Sequence, residues 1–169
     1  MARTLALLRH AKSGYPPGVR DHDRPLAERG QRDAEAAGAV VQRRLATPDL
    51  VIVSGARRAQ QTWSAVSRAW AHPPHHVVDE RIYEASTDDL LLLIREVESK
   101  VGSLVLVGHN PGFEDLAFAL ASDSSEPVAI EHLEQKYPTC GLVLFEVDEP
   151  WEHVVHGGAK LVSFDVPRG

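Results

Sequence analysis

The chain is predicted to fold as an α/β protein, a three-layer α/β/α sandwich around a mostly parallel central sheet with one antiparallel edge strand. Two observations carry this. Short continuous apolar runs at residues 4–8, 50–53 and 103–107 are separated by longer stretches with helical periodicity, the alternation of parallel strands covered on both faces. The 169 residues, 43% of them hydrophobic, suffice for one sizeable core, so residues 1–169 are read as a single domain.

The elements follow in order. Residues 4–8 form a buried strand that opens into the turn-rich Gly14-Tyr15-Pro16-Pro17-Gly18. An alanine-rich helix over 28–45 places Ala34, Ala37, Val41 and Leu45 on one stripe and stops at Thr47-Pro48-Asp49. Strand 50–53 turns at Ser54-Gly55 into a helix running to residue 69, and Val77-Val78 marks a third, short strand after Pro73-Pro74. A leucine-rich helix over 88–97 is preceded by Ser86 and Thr87 as cap candidates. Strand 103–107 ends at Gly108-His109-Asn110-Pro111-Gly112, and helices over 113–121 and 128–135 follow. Strand 141–147 and a last, edge strand over 161–166, expected to be antiparallel, complete the sheet. There are no repeats, low-complexity tracts or linkers.

Charge and composition narrow the function. A net charge of -6 argues against a nucleic-acid partner. No apolar run approaches the roughly 20 residues that span a bilayer, and Arg9 interrupts the short N-terminal one. The single cysteine, Cys140, cannot form an internal disulfide, so a cytoplasmic location is expected. Any phosphate must be bound by a local pocket of arginines. In open parallel sheets that pocket lies beyond the carboxyl ends of the strands. Arg9-His10, the segment Ser54 through Arg58, and His109-Asn110 all follow strands directly. Each alone reads as the start of a polar loop; together, two histidines and two arginines at strand ends suit a tetrahedral dianion.

These segments carry a resemblance. Leu8-Arg9-His10-Ala11 is similar to the Arg-His signature of the histidine phosphatase superfamily, which includes the cofactor-dependent phosphoglycerate mutases, with Ala11 a small-residue variant of its usual glycine. The segment from Ser54 to Thr62 resembles the family's Ser-x-x-x-Arg-Ala-x-Gln-Thr, in a register that selects Arg58 over Arg57, and Val107-Gly108-His109-Asn110 resembles its second histidine motif. Asp23-Arg24-Pro25-Leu26 with Arg29-Gly30, Tyr137-Pro138-Thr139, and Ala159-Lys160-Leu161 with Pro167-Arg168 are similar to the SixA-like branch. The resemblance spans nearly the whole chain and implies a phosphoglycerate mutase-like fold.

It also implies roles. His10 would be the nucleophile that accepts the phosphoryl group, with Arg9, Arg58 and His109 holding the phosphate. A neutral imidazole can attack phosphorus and split one hard step into two. Forked guanidinium donors suit the charge on the equatorial oxygens. No metal or cofactor is required. The proton donor for an ester leaving group would be a carboxylic acid after the third strand. Glu80 fits best and Glu84 is its competitor, either of which also reads as a solvated carboxylate; a phosphohistidine, with imidazole as leaving group, needs such an acid less.

Other features read as structure. His72, His75 and His76, with His153 and His156, match no zinc spacing. Asp88 and Asp89 suit a helix start, Trp63, Trp70 and Trp151 suit packing, and Cys140 a buried thiol. Lys12, Ser13 and Arg24 could touch phosphate or support the loop around it. The leading expectation is a phosphatase for phosphohistidine in a protein. A small phosphate ester as substrate is the alternative; a mutase is disfavoured because the chain lacks long covering insertions. A noncatalytic phosphate-binding module on the same fold would have no need of its nucleophile. The oligomeric state is open.

Overall fold

A computed structural model describes residues 2–169. Six strands form one sheet: β1 (Arg3–Arg9), β2 (Leu50–Ser54), β3 (His76–Asp79), β4 (Ser103–Gly108), β5 (Leu142–Val147) and β6 (Lys160–Asp165). Five helices accompany them: α1 (Glu28–Leu45), α2 (Arg57–Val66), α3 (Thr87–Arg95), α4 (Gly112–Leu120) and α5 (Pro127–Gln135). The spatial order is β3-β2-β4-β1-β5-β6. The pairs β3–β2, β2–β4 and β4–β1 are parallel, whereas β5 pairs antiparallel with both β1 and β6. The antiparallel pair at the edge is as expected, with β5 as the strand that reverses.

Side-chain alternation explains the layers. Along β1, Leu5 and Leu7 enter one apolar core while Ala6 and Leu8 enter the other; β4 repeats this with Leu104 and Leu106 against Val105 and Val107. Leu90, Ile94, Phe113, Leu116 and Leu133 of α3, α4 and α5 cover the first face. Ala34, Ala37, Val41, Ala59 and Trp63 of α1 and α2 cover the second. With both faces covered, these strands read as continuous apolar runs.

Local chemistry sets several boundaries. Helix α3 starts one residue before the expected position because Ser86 and Asp89 close a capping box, Ser86 Oγ accepting from Asp89 N at 3.1 Å and Asp89 Oδ2 from Ser86 N at 2.9 Å. The helix after β2 ends at Val66, and a 3-10 turn (Ser67–Ala69) carries the chain on to residue 69. Trp151 and Trp70 are packing residues, their indole N–H groups donating to the carbonyls of Val101 and Ala46. Among the described residues, no helix is long and apolar enough to cross a membrane.

The register brings the strand ends together. Arg9 of β1 lies opposite Gly108 of β4, and Val53 of β2 opposite Val107 of β4. Residues that leave β1, β2 and β4 therefore emerge side by side.

Candidate active site

His10 follows β1 and is pinned by backbone bonds on both sides: its N–H donates to the Gly108 carbonyl at 2.9 Å, and its carbonyl accepts from Cys140 N at 3.0 Å. Ala11 N donates to Thr62 Oγ1, which itself donates to the Arg58 carbonyl, so α2 is tied to the same loop. Arg9 is held from the other side. Its Nη1 donates to the Tyr137 carbonyl at 2.9 Å, which also accepts from Asn110 Nδ2, while the Tyr137 hydroxyl donates to the Leu7 carbonyl. These bonds locate the Tyr137-Pro138-Thr139 segment as the seat of Arg9.

The ring state of His10 follows from one bond. Nδ1 lies 2.8 Å from the Ala11 carbonyl, which can only accept, so Nδ1 carries the proton and Nε2 keeps its lone pair. Arg58 Nε donates to that Nε2 at 3.3 Å. Burial is the main cause that pulls the His10 imidazole down to about 3, opposed by the Ala11 carbonyl and reinforced by His109, Arg58 and Arg9. Burial, followed by Arg58, likewise lowers His109 to about 3. The two rings lie 5.1 Å apart.

His109 Nε2 lies 2.7 Å from Ser54 Oγ, which also accepts from Ala56 N at 3.2 Å. The hydroxyl proton is best used toward Nε2, which leaves Nδ1–H of a neutral His109 as a buried donor without a protein partner. Ser54 is thus a tautomer-setting residue that sequence reasoning treated only as part of a motif.

The four residues share a cleft of about 540 Å³, which Asp21, Arg24, Tyr83 and Glu84 also line. Asp21 and Tyr83 were not anticipated, and no local pattern announces them. Asp21, in a 3-10 turn (Asp21–Asp23), binds Arg58 twice: its carbonyl accepts from Nη1 at 2.7 Å and its carboxylate from Nη2 at 3.1 Å. The same carboxylate accepts from Arg24 Nε at 3.1 Å and from the Tyr83 hydroxyl at 2.5 Å. Arg24 also donates to Ser13 Oγ and the Gly14 carbonyl and stacks on Tyr15. It is therefore an anchor of the loop beside the cleft. Arg57 faces away, into a larger hollow of about 680 Å³ that contains none of the four residues.

The two candidate acids separate. Glu80 does not line the cleft; it is exposed, its Oε2 lies 2.9 Å from His22 Nε2, and this contact is the leading cause that raises the His22 imidazole. Its carboxylate occupies the space over Gly55, where an added Cβ would fall 1.7 Å from Oε1. Glu84 does line the cleft, with φ at 56°, a left-handed conformation unusual for a non-glycine residue. Cys140 is buried below, and burial lifts its thiol to about 12. Among the described residues no group of three or more His, Cys, Asp or Glu could hold a metal ion.

The buried rings make a pH-dependent stability. An imidazole whose folded value is lowered binds fewer protons folded than unfolded between about 6.5 and about 3. Stability is therefore full above that window and falls as pH drops through it. At pH 5, ¹⁵N NMR should find His10 neutral with Nδ1 protonated, where an ordinary histidine is almost wholly charged. An imidazolium spectrum at that pH would contradict the assignment.

Comparison with known proteins gives the following. Residues 5–105 match the model of the histidine phosphatase superfamily (branch 1). An uncharacterized protein of Mycobacterium tuberculosis is 41% identical over 162 residues, 95% of this chain and 100% of its own length. A candidate phosphohistidine phosphatase SixA of Agrobacterium tumefaciens is 32% identical, with a TM-score of 0.79 over 98% of this chain and 99% of that one. The structure of a candidate SixA from Nakamurella multipartitia is 29% identical, with a TM-score of 0.86 over 99% of this chain and 97% of that one.

Proposed function

Because this chain belongs to the histidine phosphatase superfamily, in its SixA-like branch, and is accordingly a phosphatase, we propose that it works through a covalent phosphohistidine on His10 and that its substrate is phosphohistidine in a protein. The observation that carries this is the single tautomer of His10. The Ala11 carbonyl accepts from Nδ1–H, which keeps Nε2 unprotonated at neutral pH, its lone pair turned to the Nε–H of Arg58.

The phosphoryl group enters the cleft with its oxygens toward Arg9, Arg58 and the Nδ1–H of His109. Nε2 attacks phosphorus as the bond to the leaving group breaks, and the guanidinium forks hold the charge on the equatorial oxygens. Water then attacks the phosphohistidine, returning His10 to its neutral state and releasing inorganic phosphate. The residues supply the positive charge themselves, and no step needs a metal.

Phosphohistidine suits the site because its leaving imidazole departs without a strong acid. Asp21 and Glu84, which line the cleft, are exposed, which leaves room for a protein segment. For a phosphate ester, the alternative substrate, the acid would come from the carboxylates after β3. Sequence resemblance favours Glu80; placement in the cleft favours Glu84. Glu84→Gln is expected to slow aryl phosphate hydrolysis roughly 10²-fold, with Glu80→Gln within about threefold of the parent, measured as kcat/KM. The reverse order would return the role to Glu80.

The test of the function is a trap. Protein labelled with ³²P-phosphohistidine, mixed in EDTA with this enzyme and quenched in alkali, should yield acid-labile phosphate on His10 and then inorganic phosphate. Label on serine, or no label during turnover, would remove the covalent step. Hydrolysis of esters but not of phosphohistidine would favour the alternative substrate.

A further inference from the structure

The cleft is electrically divided. Its floor takes its positive charge from the Arg9 and Arg58 guanidinium groups and is closed, with Arg58 5% exposed and the neutral rings of His10 and His109 7% and 8% exposed. Its mouth carries carboxylates, with the Asp21 side chain 55% exposed and Glu84 exposed beside it. In-line displacement places the leaving group opposite the nucleophile. Since Nε2 attacks from the floor, the leaving group points to the mouth, where Asp21 stands.

We propose that Asp21 determines specificity at the leaving-group side, selecting substrates in which phosphorus is bonded to a protonated nitrogen over phosphate esters. This rests on the phosphatase reading given above. A protonated phosphoimidazole ring carries its positive charge and an N–H on the side away from phosphorus. The Asp21 carboxylate can accept from that N–H, because its roughly four lone-pair sites meet only three donors in the structure, from Arg58, Arg24 and Tyr83. An aryl oxide leaving group has the opposite sign: negative charge develops on the oxygen that departs toward a fixed anion. The carboxylate is held ionised at about 2, chiefly by the Tyr83 hydroxyl and then by Arg24 and Arg58, so it stays anionic throughout the working range.

The balance of the step is simple. The P–N bond breaks as the P–Nε2 bond to His10 forms. The electron pair of the broken bond stays on the departing ring nitrogen, and the ring leaves as neutral imidazole with its distal N–H in place. No proton from the protein is consumed, which accounts for a site whose fixed mouth carboxylate is ionised rather than acidic. Among the other groups at the mouth, Lys12 is the opposing charge, while Arg24 is taken up by Asp21, Ser13 and Gly14.

The experiment compares kcat/KM for N-phosphoimidazole and 4-nitrophenyl phosphate in the parent enzyme and Asp21→Asn, with inhibition by inorganic phosphate as a measure of the floor. Asparagine keeps the backbone carbonyl and one side-chain oxygen for Arg58 but removes the charge. The expected result is a fall of about tenfold or more on phosphoimidazole, an unchanged or raised value on the aryl phosphate, and phosphate inhibition within about threefold of the parent. Asp21→Glu should restore part of the preference for nitrogen. Tyr83→Phe, which leaves the charge in place, should keep the ratio of the two substrates within about threefold. A parallel fall on both substrates with weakened phosphate inhibition would overturn the proposal and reduce Asp21 to a support for Arg58. No change in the ratio, or a fall on the ester alone, would overturn it as well. Only turnover abolished by His10→Ala is scored, so loss of the covalent mechanism is told apart from loss of the selectivity.

Discussion

Replacement of His10 by Ala is expected to lower phosphatase turnover by roughly 10⁴- to 10⁶-fold, the scale seen when a nucleophile that works with its partners as a unit is removed. Arg9, Arg58 and His109 remain, so phosphate should still bind, and inhibition of the parent by phosphate should match direct binding to the variant within a few fold. The fold should survive, because the ring borders the cleft and the backbone bonds from His10 to Gly108 and Cys140 do not involve the side chain. The variant should also lose less stability on acidification, having one fewer imidazole that must be kept neutral below its ordinary range. Kinetics on phosphohistidine and aryl phosphate in EDTA, with a circular dichroism melt at pH 7 and pH 4, test both statements. Turnover within tenfold of the parent would show that His10 is not the nucleophile.

The second large effect lies in packing. Gly30→Ala is expected to destabilise the protein by about 3 kcal/mol and to lower kcat roughly 10²-fold even in the folded fraction. A Cβ on Gly30 would fall 2.0 Å from the Lys12 carbonyl oxygen and 2.9 Å from its nitrogen. Those are backbone atoms, so no side-chain rotation relieves the overlap. The same carbonyl accepts from Ala27 N at 2.9 Å, which fastens the start of α1 to the loop two residues beyond His10. Pushing α1 away therefore moves His10, the proposed nucleophile. The melting temperature should fall by about 6–12 °C at this size. By contrast, Gly18→Ala, at an open position with φ at 74°, should cost stability only, with kcat unchanged. A Gly30→Ala enzyme with parental stability would show that the contact is looser than the distances imply.

Much of the fold was legible because its determinants are local. Apolar runs buried on both faces announce β1, β2 and β4, and alanine at helical spacing announces α1, whose ends at Glu28 and Leu45 coincide with the expected ones. The Ser86–Asp89 box was half visible: Ser86 read as a cap candidate and Asp89 as a first-turn acid, while their reciprocal bonding needed the three-dimensional turn. The reversal of β5 was less legible, since strand direction depends on how the chain returns through α4 and α5.

The sequence by itself determined the floor of the site. Arg9, His10, Arg58 and His109 each sit at or just beyond the carboxyl end of a buried strand, and a parallel sheet must gather those ends on one side. The tertiary structure alone decided the rest. It put Asp21 on Arg58 across 37 residues and on Tyr83 across 62, and it gave Glu80 to His22 while leaving Glu84 in the cleft. It also set the ring tautomers through the Ala11 carbonyl and the Ser54 hydroxyl. These outcomes are settled by which polar atoms meet within about 3 Å, a distance that no spacing along the chain encodes once loops have folded over the sheet.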